Sequence, residues 1–164
     1  RAREAGKTRF IGYSGDGQAA LHAVQSGAFD TLQISVSIAD QEAIDLVLPA
    51  AKERGMGVIA KRPIANAIWQ SKSKPDAYYQ AYWERFHQLD YDFLKGDTSR
   101  AVGTALRFTL SMDGVHTAIV GTTQPGRWAE NAKLLGAGSW DAGEIQAIRA
   151  RWKAVAQPDW IGQI

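Results

Sequence analysis

Short apolar segments alternate with longer amphipathic segments along this chain. The apolar segments are predicted as strands, over residues 9–13, 31–37, 57–60 and 116–120. The amphipathic segments are predicted as helices, over residues 18–25, 41–54, 76–89, 98–110, 125–135 and 141–156. Because the strands are apolar almost throughout, we expect parallel strands that are buried on both faces, as β/α units produce.

Three local signals refine the predicted helices. Asp40 is a plausible N-cap for the helix over 41–54, and Pro49 within that helix predicts a kink or a short break. The chain opens with residues 1–6, which resemble the tail of a helix with Gly6 at its C-cap. We therefore expect the sequence to begin in the middle of an element.

The predicted fold is one α/β domain over residues 1–164, with four β/α units in series. A helical insertion over about residues 64–97 precedes the last strand, and a final helix follows it. The insertion is rich in aromatic residues, which we interpret as packing groups; a substrate-lining or partner-binding role is the alternative. These residues are Trp69, Tyr78, Tyr79, Tyr82, Trp83, Phe86, Tyr91 and Phe93.

Composition narrows the class of protein. Apolar residues make up 45% of the chain and charged residues 22%, which are ordinary values for a globular protein. The net charge of +2 is too small, and the basic residues too scattered, for nucleic-acid binding. The chain has no cysteine, which excludes disulfides and cysteine-ligated metal. No apolar run approaches the roughly 18 residues of a membrane span, and no signal peptide is visible, so we expect a cytoplasmic protein.

The sequence contains a match to the dinucleotide-binding fingerprint. Gly15, Gly17 and Ala20 fit G-x-G-x-x-A between a predicted strand and helix, and Asp40 follows at about the required spacing. The motif is weak in a chain that contains 16 glycines. The next strand also carries Gln33, which a doubly wound core does not require. A Rossmann site is therefore the less favoured interpretation.

No catalytic constellation stands out in the sequence. Ser14 is not in a nucleophile elbow, because that motif needs glycine where Asp16 stands; we interpret Ser14 as a strand-end hydroxyl that contacts a ligand amide or the backbone. The histidines are far apart and are interpreted as structural or exposed: His22, His87 and His116. Several aspartates are interpreted as turn, cap and solvent positions: Asp16, Asp30, Asp40 and Asp45. We predict no metal site.

The segment over residues 118–131 predicts an anion-binding unit. An apolar strand leads into the turn Gly121-Thr122-Thr123, and a helix then begins that carries Arg127. The first turn of a helix offers unpaired N–H groups to an anion, and the arginine is within reach of them. Together with the first strand and its glycine-rich turn, this unit indicates nucleotide binding.

Several segments taken together resemble the aldo-keto reductase family. They are GKTRFIGYS at 6–14, Leu32-Gln33, LPAAKERGMGVIAKRPI at 48–64, ALRFTL at 105–110, and TAIVGTT at 117–123 with Arg127, Glu130 and Asn131. Their order and spacing are near those of the family over residues 6 to about 138. The resemblance implies strands five to eight of a (β/α)8 barrel, which is a parallel (β/α)4 half of the TIM-type fold. It also implies an NADP(H) cofactor extended across the carboxyl ends of the strands.

The resemblance implies a role for residues at both ends of that cofactor. Ser14 and Gln33 would hold the nicotinamide carboxamide, and Gly15 stands where the family often has asparagine, so it offers only its backbone. The loop Lys61, Arg62, Pro63 and Ile64 would follow the pyrophosphate. The remaining residues would meet the adenosine end: Gly121, Thr122 and Thr123 near its phosphate region, Arg127 at the 2′-phosphate, and Glu130 and Asn131 at the adenine.

The sequence departs from the family in two ways. Lys61 occupies the position where many members stack an aromatic ring on the nicotinamide. The family's catalytic tyrosine, lysine, aspartate and histidine lie on its first four strands, and no residue of this chain matches any of them. The resemblance therefore implies the cofactor side of an oxidoreductase without its catalytic side.

A half-barrel leaves two open strand edges and one open face. Candidates for this face, or for the helix-packing layer behind it, are Phe10, Leu32, Ile34, Val58, Ile59, Ile119 and Val120. We expect self-association into a homodimer, or pairing with a separate N-terminal half. The leading hypothesis is an NADP(H)-binding half of a reductase that is inactive alone. The alternatives are a non-enzymatic interaction or scaffold protein, and a stand-alone enzyme with relocated catalytic groups.

Overall fold

The computed structural model describes residues 1–136 and 141–163. Its strands are β1 (Gly12–Ser14), β2 (Thr31–Ser35), β3 (Gly57–Lys61) and β4 (Thr117–Ile119). Its α-helices are α1 (Gly17–Ser26), α2 (Glu42–Leu46), α3 (Leu48–Glu53), α4 (Ala77–Leu89), α5 (Thr98–Ser111), α6 (Arg127–Gly136) and α7 (Ala142–Val155). Short 3₁₀ helices cover Ala65–Gln70 and Asp92–Leu94. Each predicted strand and helix is present with boundaries shifted by at most three residues, and the helix predicted over 41–54 is divided into two.

The four strands form one parallel sheet in the order β1-β2-β3-β4. Strands that follow one another in both sequence and space, with helices between them, make an α/β half-barrel, as predicted. The helical insertion before β4 is also confirmed, because α4 and α5 both lie between β3 and β4. A doubly wound sheet needs a point where the strand order reverses. The sheet has no such reversal, so the Rossmann interpretation is wrong.

The strands are not buried on both faces, which corrects the sequence-based expectation. Burial alternates along β2 and β3, so that Leu32, Ile34, Val58 and Ala60 are buried while their neighbours are only half-buried. The buried residues form one layer with the helices behind the sheet. The other face is the one that would line a closed barrel. It is open because the sheet stops at four strands.

The open face carries few apolar side chains. The register pairs Ser14 with Gln33, Gln33 with Ile59, and Ile59 with Thr117. Residues paired in this way point to the same side of a sheet. Of the apolar candidates, Ile59 and Ile119 belong to this face, whereas Phe10 is exposed outside the strands. The face is therefore mixed, with polar groups toward the carboxyl ends of the strands.

The helix predicted over 41–54 is broken as Pro49 indicated. Helix α2 ends at Leu46, and α3 begins at Leu48 with Pro49 in its first turn, where a missing N–H costs nothing. The predicted N-cap is wrong, since Gln41 caps α2 and Asp40 is buried. At the start of the chain, residues 2–6 form hydrogen-bonded turns that end at the left-handed Gly6 rather than a helix.

The aromatic residues of the insertion pack mainly against the body of the domain. Tyr82, Phe86 and Tyr91 are buried in the core cluster. Trp69 packs edge-on against Phe86, with 5.3 Å between ring centroids. Packing accounts for these residues, which favours the first of the two interpretations given above.

The loop that follows β3 has a strained backbone. Four residues there other than glycine have positive φ: Arg62 at 54°, Ala65 at 42°, Asn66 at 56° and Ala67 at 53°. Such conformations cost about 1–3 kcal/mol each and persist only where the surroundings hold them. Strain of this kind concentrates at functional sites. The loop runs from the carboxyl end of β3 toward β4.

Candidate functional site

A groove of about 860 Å³ lies between this loop, the amino ends of α5 and α6, and the carboxyl end of β4. Its wall includes all the predicted adenosine-end residues, which are Gly121, Thr122, Thr123, Arg127, Glu130 and Asn131, together with Ile64 of the predicted pyrophosphate loop. The loop after β3 and the unit after β4 are far apart in sequence. The parallel order of β3 and β4 brings both carboxyl ends to one edge of the sheet.

The groove also contains residues that the sequence analysis missed. They come from the strained loop, from the first turn of α5 and from α6: Asn66, Ala67, Gln70, Thr98, Ser99 and Lys133. Lys133 could have been found, because it lies three residues after Glu130 on the same helix face. No sequence signal placed Thr98 and Ser99 here, since packing of α5 against α6 decides their position.

Arg127 is paired before any ligand arrives. Its Nη1 lies 3.0 Å from the Glu130 Oε2, one helical turn away, and its Nη2 donates to the Gln124 side chain. Both members of the ion pair are largely exposed, so the pair contributes less than about 1 kcal/mol to stability. An anion in the groove would therefore replace the Glu130 carboxylate at the Arg127 guanidinium, or share the guanidinium with it, at small cost in free energy.

Ser14 and Gln33 lie side by side at the far end of the open face. They are register partners on β1 and β2, and the Gly15 N–H donates to the Gln33 carbonyl at 3.2 Å. A Cβ at Gly15 would lie 2.7 Å from the ring of Tyr13. Any larger residue at this position requires that ring to move. The two side chains are thus brought together, but they are not part of the groove beside β4.

Lys61 is tied to Asp16 at the carboxyl end of the sheet. Its Nζ lies 2.7 Å from Asp16 Oδ2, and the two side chains are 14% and 3% exposed. The other Asp16 oxygen accepts the Ser35 N–H at 2.7 Å. Asp16 therefore joins the start of α1 to the ends of β2 and β3. Asp16 was predicted at a turn, cap or solvent position. It does occupy the N-cap position of α1, but its carboxylate is buried in this junction and accepts no N–H of that helix.

Arg62 and Pro63 do not line the groove. The Arg62 guanidinium donates to Ser35 Oγ at 3.3 Å, to the Gln163 carbonyl at 2.6 Å and to the Tyr78 hydroxyl at 3.2 Å. Pro63 is buried, and its carbonyl accepts the Thr109 hydroxyl at 3.2 Å. Of the predicted pyrophosphate loop, only Ile64 reaches the groove.

A buried ionic cluster joins the insertion to the loop after β2. The Asp40 carboxylate accepts hydrogen bonds from Tyr82 and Arg85, and Arg85 also donates to the Ala39 carbonyl at 3.1 Å. Burial raises the pKa of Asp40 to about 7, against the opposing effect of Arg85. Burial likewise raises the pKa of Tyr82. The prediction of a cap or solvent position for Asp40 is wrong.

The other aspartates and the histidines have ordinary surroundings. Asp45 forms an ion pair with Arg149 at 2.6 Å, and Asp30 accepts the Ile11 N–H at 2.9 Å. His22 is exposed, and His116 Nδ1 accepts the Val58 N–H at 3.1 Å. Within residues 1–136 and 141–163, no group of three or more histidine and acidic side chains is placed to hold a metal ion. In that same part of the chain, no helix is long and apolar enough to cross a membrane.

Comparison with known proteins supports the fold. No protein-family model matches the sequence, and no curated protein matches it. In structure, the chain is similar to aldo-keto reductase AKR11C1 from Bacillus halodurans in its apo form, with a TM-score of 0.73 and 20% identity over 97% of this chain and 56% of that chain. The holo form gives a TM-score of 0.70 and 19% identity over 97% and 55%. This chain therefore spans about half the length of those structures. The predicted resemblance is confirmed at the level of the fold.

Proposed function

We propose that this chain is the NADP(H)-binding half of an aldo-keto reductase-like oxidoreductase and is inactive alone. One observation carries the proposal. Residues from two distant segments, Ile64 on one side and Gly121 to Asn131 on the other, line a single groove at the carboxyl edge of the sheet. Ligands of parallel α/β folds bind at this edge. The fold similarity to one reductase, which is known in an apo and a holo form, supports the same assignment.

The chemistry of the groove fits the adenosine end of such a cofactor. Its volume of about 860 Å³ is in the range of cofactor sites. Arg127 and Lys133 supply positive charge on one helix, and Thr122 and Thr123 supply hydroxyl groups beside them. A guanidinium binds a phosphate through two parallel hydrogen bonds, which favours the 2′-phosphate of NADPH over the free hydroxyl of NADH.

We assign Glu130 a second role besides contact with the adenine. It holds the Arg127 guanidinium over the groove through the 3.0 Å ion pair. A bound 2′-phosphate would compete with this carboxylate for the same N–H groups. Selectivity for NADPH would then depend on the balance between the two anions, and Lys133 would help by compensating the additional negative charge.

We propose that Ser14 and Gln33 bind the nicotinamide end of the cofactor. A carboxamide needs both a hydrogen-bond donor and an acceptor, and the adjacent hydroxyl and amide provide them. Gly15 contributes only backbone. The cofactor itself would supply the hydride, while this chain binds and orients it. The chain has no residue that matches the family's catalytic groups, so reduction would require residues from elsewhere.

We propose a second copy of the chain, or an N-terminal half, as the source of those residues. The sheet ends at β1 and β4, and the strand edges there are unpaired in the described part of the chain. Such edges pair readily with another chain. Closure into an eight-stranded barrel would also cover the open face, on which Ile119 is 49% exposed.

Titration with NADPH tests the cofactor assignment directly. Trp128 follows Arg127 and is 75% exposed, so its fluorescence should report a ligand in the groove. We expect saturable quenching by NADPH, and weaker quenching by NADH. A fluorescence loss that rises linearly up to millimolar NADPH would reflect only light absorption by the free cofactor, and it would contradict the proposal.

A non-enzymatic interaction or scaffold role is the second candidate. It is favoured by an apolar groove of about 380 Å³ between α5, α6 and β4, lined by Leu106, Leu110, Ile119, Trp128 and Leu135. Exposed apolar surface of this kind is typical of protein-binding sites. A chain that associates with a partner but shows no saturable NADPH binding would support this candidate against the first.

A further inference from the structure

Residues 159–163, which we call the strap, cross the carboxyl end of the sheet after α7. Trp160 anchors the strap, because it is buried and packs edge-on against Trp152 with 5.3 Å between ring centroids. The Arg85 guanidinium lies 5.5 Å from the centre of the Trp160 ring. The strap thus begins at a firm aromatic and cationic contact.

Beyond this anchor the strap is held by its backbone. The Ile161 carbonyl accepts a hydrogen bond from Arg85 Nη2 at 2.7 Å, and the Gln163 carbonyl accepts one from Arg62 Nη1 at 2.6 Å. Gly162 lies directly against Asp16. A Cβ at this position would lie 2.4 Å from the Asp16 carboxylate carbon and 2.7 Å from the Ser35 Cβ. Only glycine fits here while the strap is closed.

Arg62 has only neutral acceptors. Its hydrogen bonds go to a serine hydroxyl, a tyrosine hydroxyl and the Gln163 carbonyl. Within residues 1–136 and 141–163, the carboxylate of Asp16 pairs with Lys61, and no carboxylate oxygen lies within 4.0 Å of the Arg62 guanidinium nitrogens. A guanidinium binds an anionic oxygen more strongly than a neutral one. The Gln163 carbonyl of the strap therefore binds the Arg62 guanidinium at the carboxyl end of β3, and it is a weaker acceptor than an anion would be.

One polar group of the strap lacks a partner. The Gln163 Oε1 is buried and accepts no hydrogen bond from the described residues. A buried acceptor without a partner favours the open state of a segment, because water can satisfy it there. The closed strap is thus held by a few contacts and opposed by one unpaired group.

We propose that the strap is a conformational latch that covers Arg62 and is displaced when the diphosphate of a dinucleotide binds to that guanidinium. The inference rests on the proposed cofactor function, and it concerns what must move before the cofactor can bind. It also accounts for Arg62 lying outside the groove in the closed state. The apparent affinity for the dinucleotide is reduced by the fraction of molecules with a closed strap.

Substitution of Gly162 tests the latch. In Gly162→Ala the new methyl group meets Asp16, so the strap is forced open, and Gly162→Val should act more strongly. Binding of NADPH and of inorganic pyrophosphate is measured by calorimetry on the full chain. We expect both ligands to bind at least about threefold more tightly to Gly162→Ala than to the wild type. The matched controls are Gly96→Ala and Gly96→Val, because a Cβ at Gly96 meets nothing within 4 Å.

The outcomes separate the latch from the proposed function. NADPH binding of equal strength in wild type and Gly162→Ala would overturn the latch and leave the proposed function standing. A gain for pyrophosphate alone, without NADPH binding to either protein, would support the latch and contradict the cofactor. Binding of neither ligand to any variant would overturn both.

A measurement on the wild type covers the case in which Gly162→Ala does not fold. Hydrogen exchange of the amides of residues 160–163 is compared with and without saturating pyrophosphate. Displacement of the strap predicts faster exchange in the presence of the ligand. Unchanged or slower exchange would overturn the latch, whatever the substitution does.

Discussion

Arg127 Nη1 lies 3.0 Å from Glu130 Oε2, so the cation that we propose for the 2′-phosphate already holds an anion. The two residues are three positions apart on α6 and are both largely exposed. Because water screens such a pair, it adds little to stability. Its effect is on binding, since it sets which anion the guanidinium faces.

Replacement of the two residues should therefore change NADPH binding in opposite directions. Arg127→Ala should weaken the binding of NADPH about tenfold or more, because one charge-assisted contact is lost. It should change the affinity for NADH by no more than about twofold. Glu130→Gln should strengthen NADPH severalfold, because the competing carboxylate is gone. Fluorescence titration of both cofactors measures these effects.

The matched control for Arg127 is Lys153→Ala, which removes one positive charge from an exposed position on α7. It should leave both cofactors unchanged. Equal losses of NADPH and NADH in Arg127→Ala would show that the arginine does not contact the 2′-phosphate.

The buried Asp40 should make stability depend on pH. Its pKa is raised to about 7 by burial, so the folded protein binds the proton more strongly than the unfolded chain. Stability from this group is complete below the unfolded pKa of about 4 and is lost as the pH rises toward 7, with a slope of at most about 1.4 kcal/mol per pH unit. The Asp40→Asn variant lacks this loss.

Urea unfolding of wild type and Asp40→Asn between pH 4 and 7 measures the difference. Asp40→Asn is expected to be less stable at low pH, since it disturbs the contacts with Tyr82 and Arg85. The wild type should lose stability relative to the variant as the pH rises. A relative gain would mean that the Arg85 ion pair outweighs burial and lowers the pKa instead.

The left-handed Ala67 should be relieved by glycine. A left-handed alanine costs about 1–2 kcal/mol, and glycine adds about 0.5–1 kcal/mol of unfolded-chain entropy. Ala67→Gly should therefore raise the free energy of unfolding by up to about 1.5 kcal/mol. Ala150→Gly, in the exposed interior of α7, should lower it by about 1 kcal/mol. Equal destabilisation by both substitutions, measured in urea, would argue against strain at Ala67.

A charge on the open face should prevent self-association. Ile119 is 49% exposed on the edge strand β4, where a second chain would pair. Light scattering of the wild type should give a mass above 17.9 kDa, and Ile119→Lys should return it to that of one chain. Ala147→Lys, on the exposed side of α7, should not change the association. A wild type that stays at the mass of one chain at high concentration would exclude the homodimer.

The sequence predicted the elements and their order well, because each depends on local periodicity. The break at Pro49 followed from one missing N–H and one fixed φ. Arg127, Glu130 and Asn131 reached one groove because residues three and four apart share a helix face. The prediction that the strands are buried on both faces was wrong, because a run of apolar residues does not show whether both faces of a strand are covered. The open face expected of a half-barrel is present.

The positions of single charged side chains were beyond sequence reasoning. Asp40 and Asp16 were predicted as turn, cap or solvent positions, yet the carboxylate of each is buried against a cation from a distant segment, Arg85 and Lys61 respectively. Nothing local distinguishes such an aspartate from a helix cap. Their pairing depends on where the insertion and the end of β3 return in space.

The sequence by itself therefore determined a series of β/α units and the Gly-Thr-Thr turn before α6, which we predict to bind an anion, because backbone geometry and side-chain periodicity act over a few residues. Only the tertiary structure decided that Arg62 is held by the strap at Gln163, that Lys61 pairs with Asp16, and that Asp40 lies between Tyr82 and Arg85. These features join residues far apart along the chain. They depend on the closure of long loops around a common core, which no local pattern encodes.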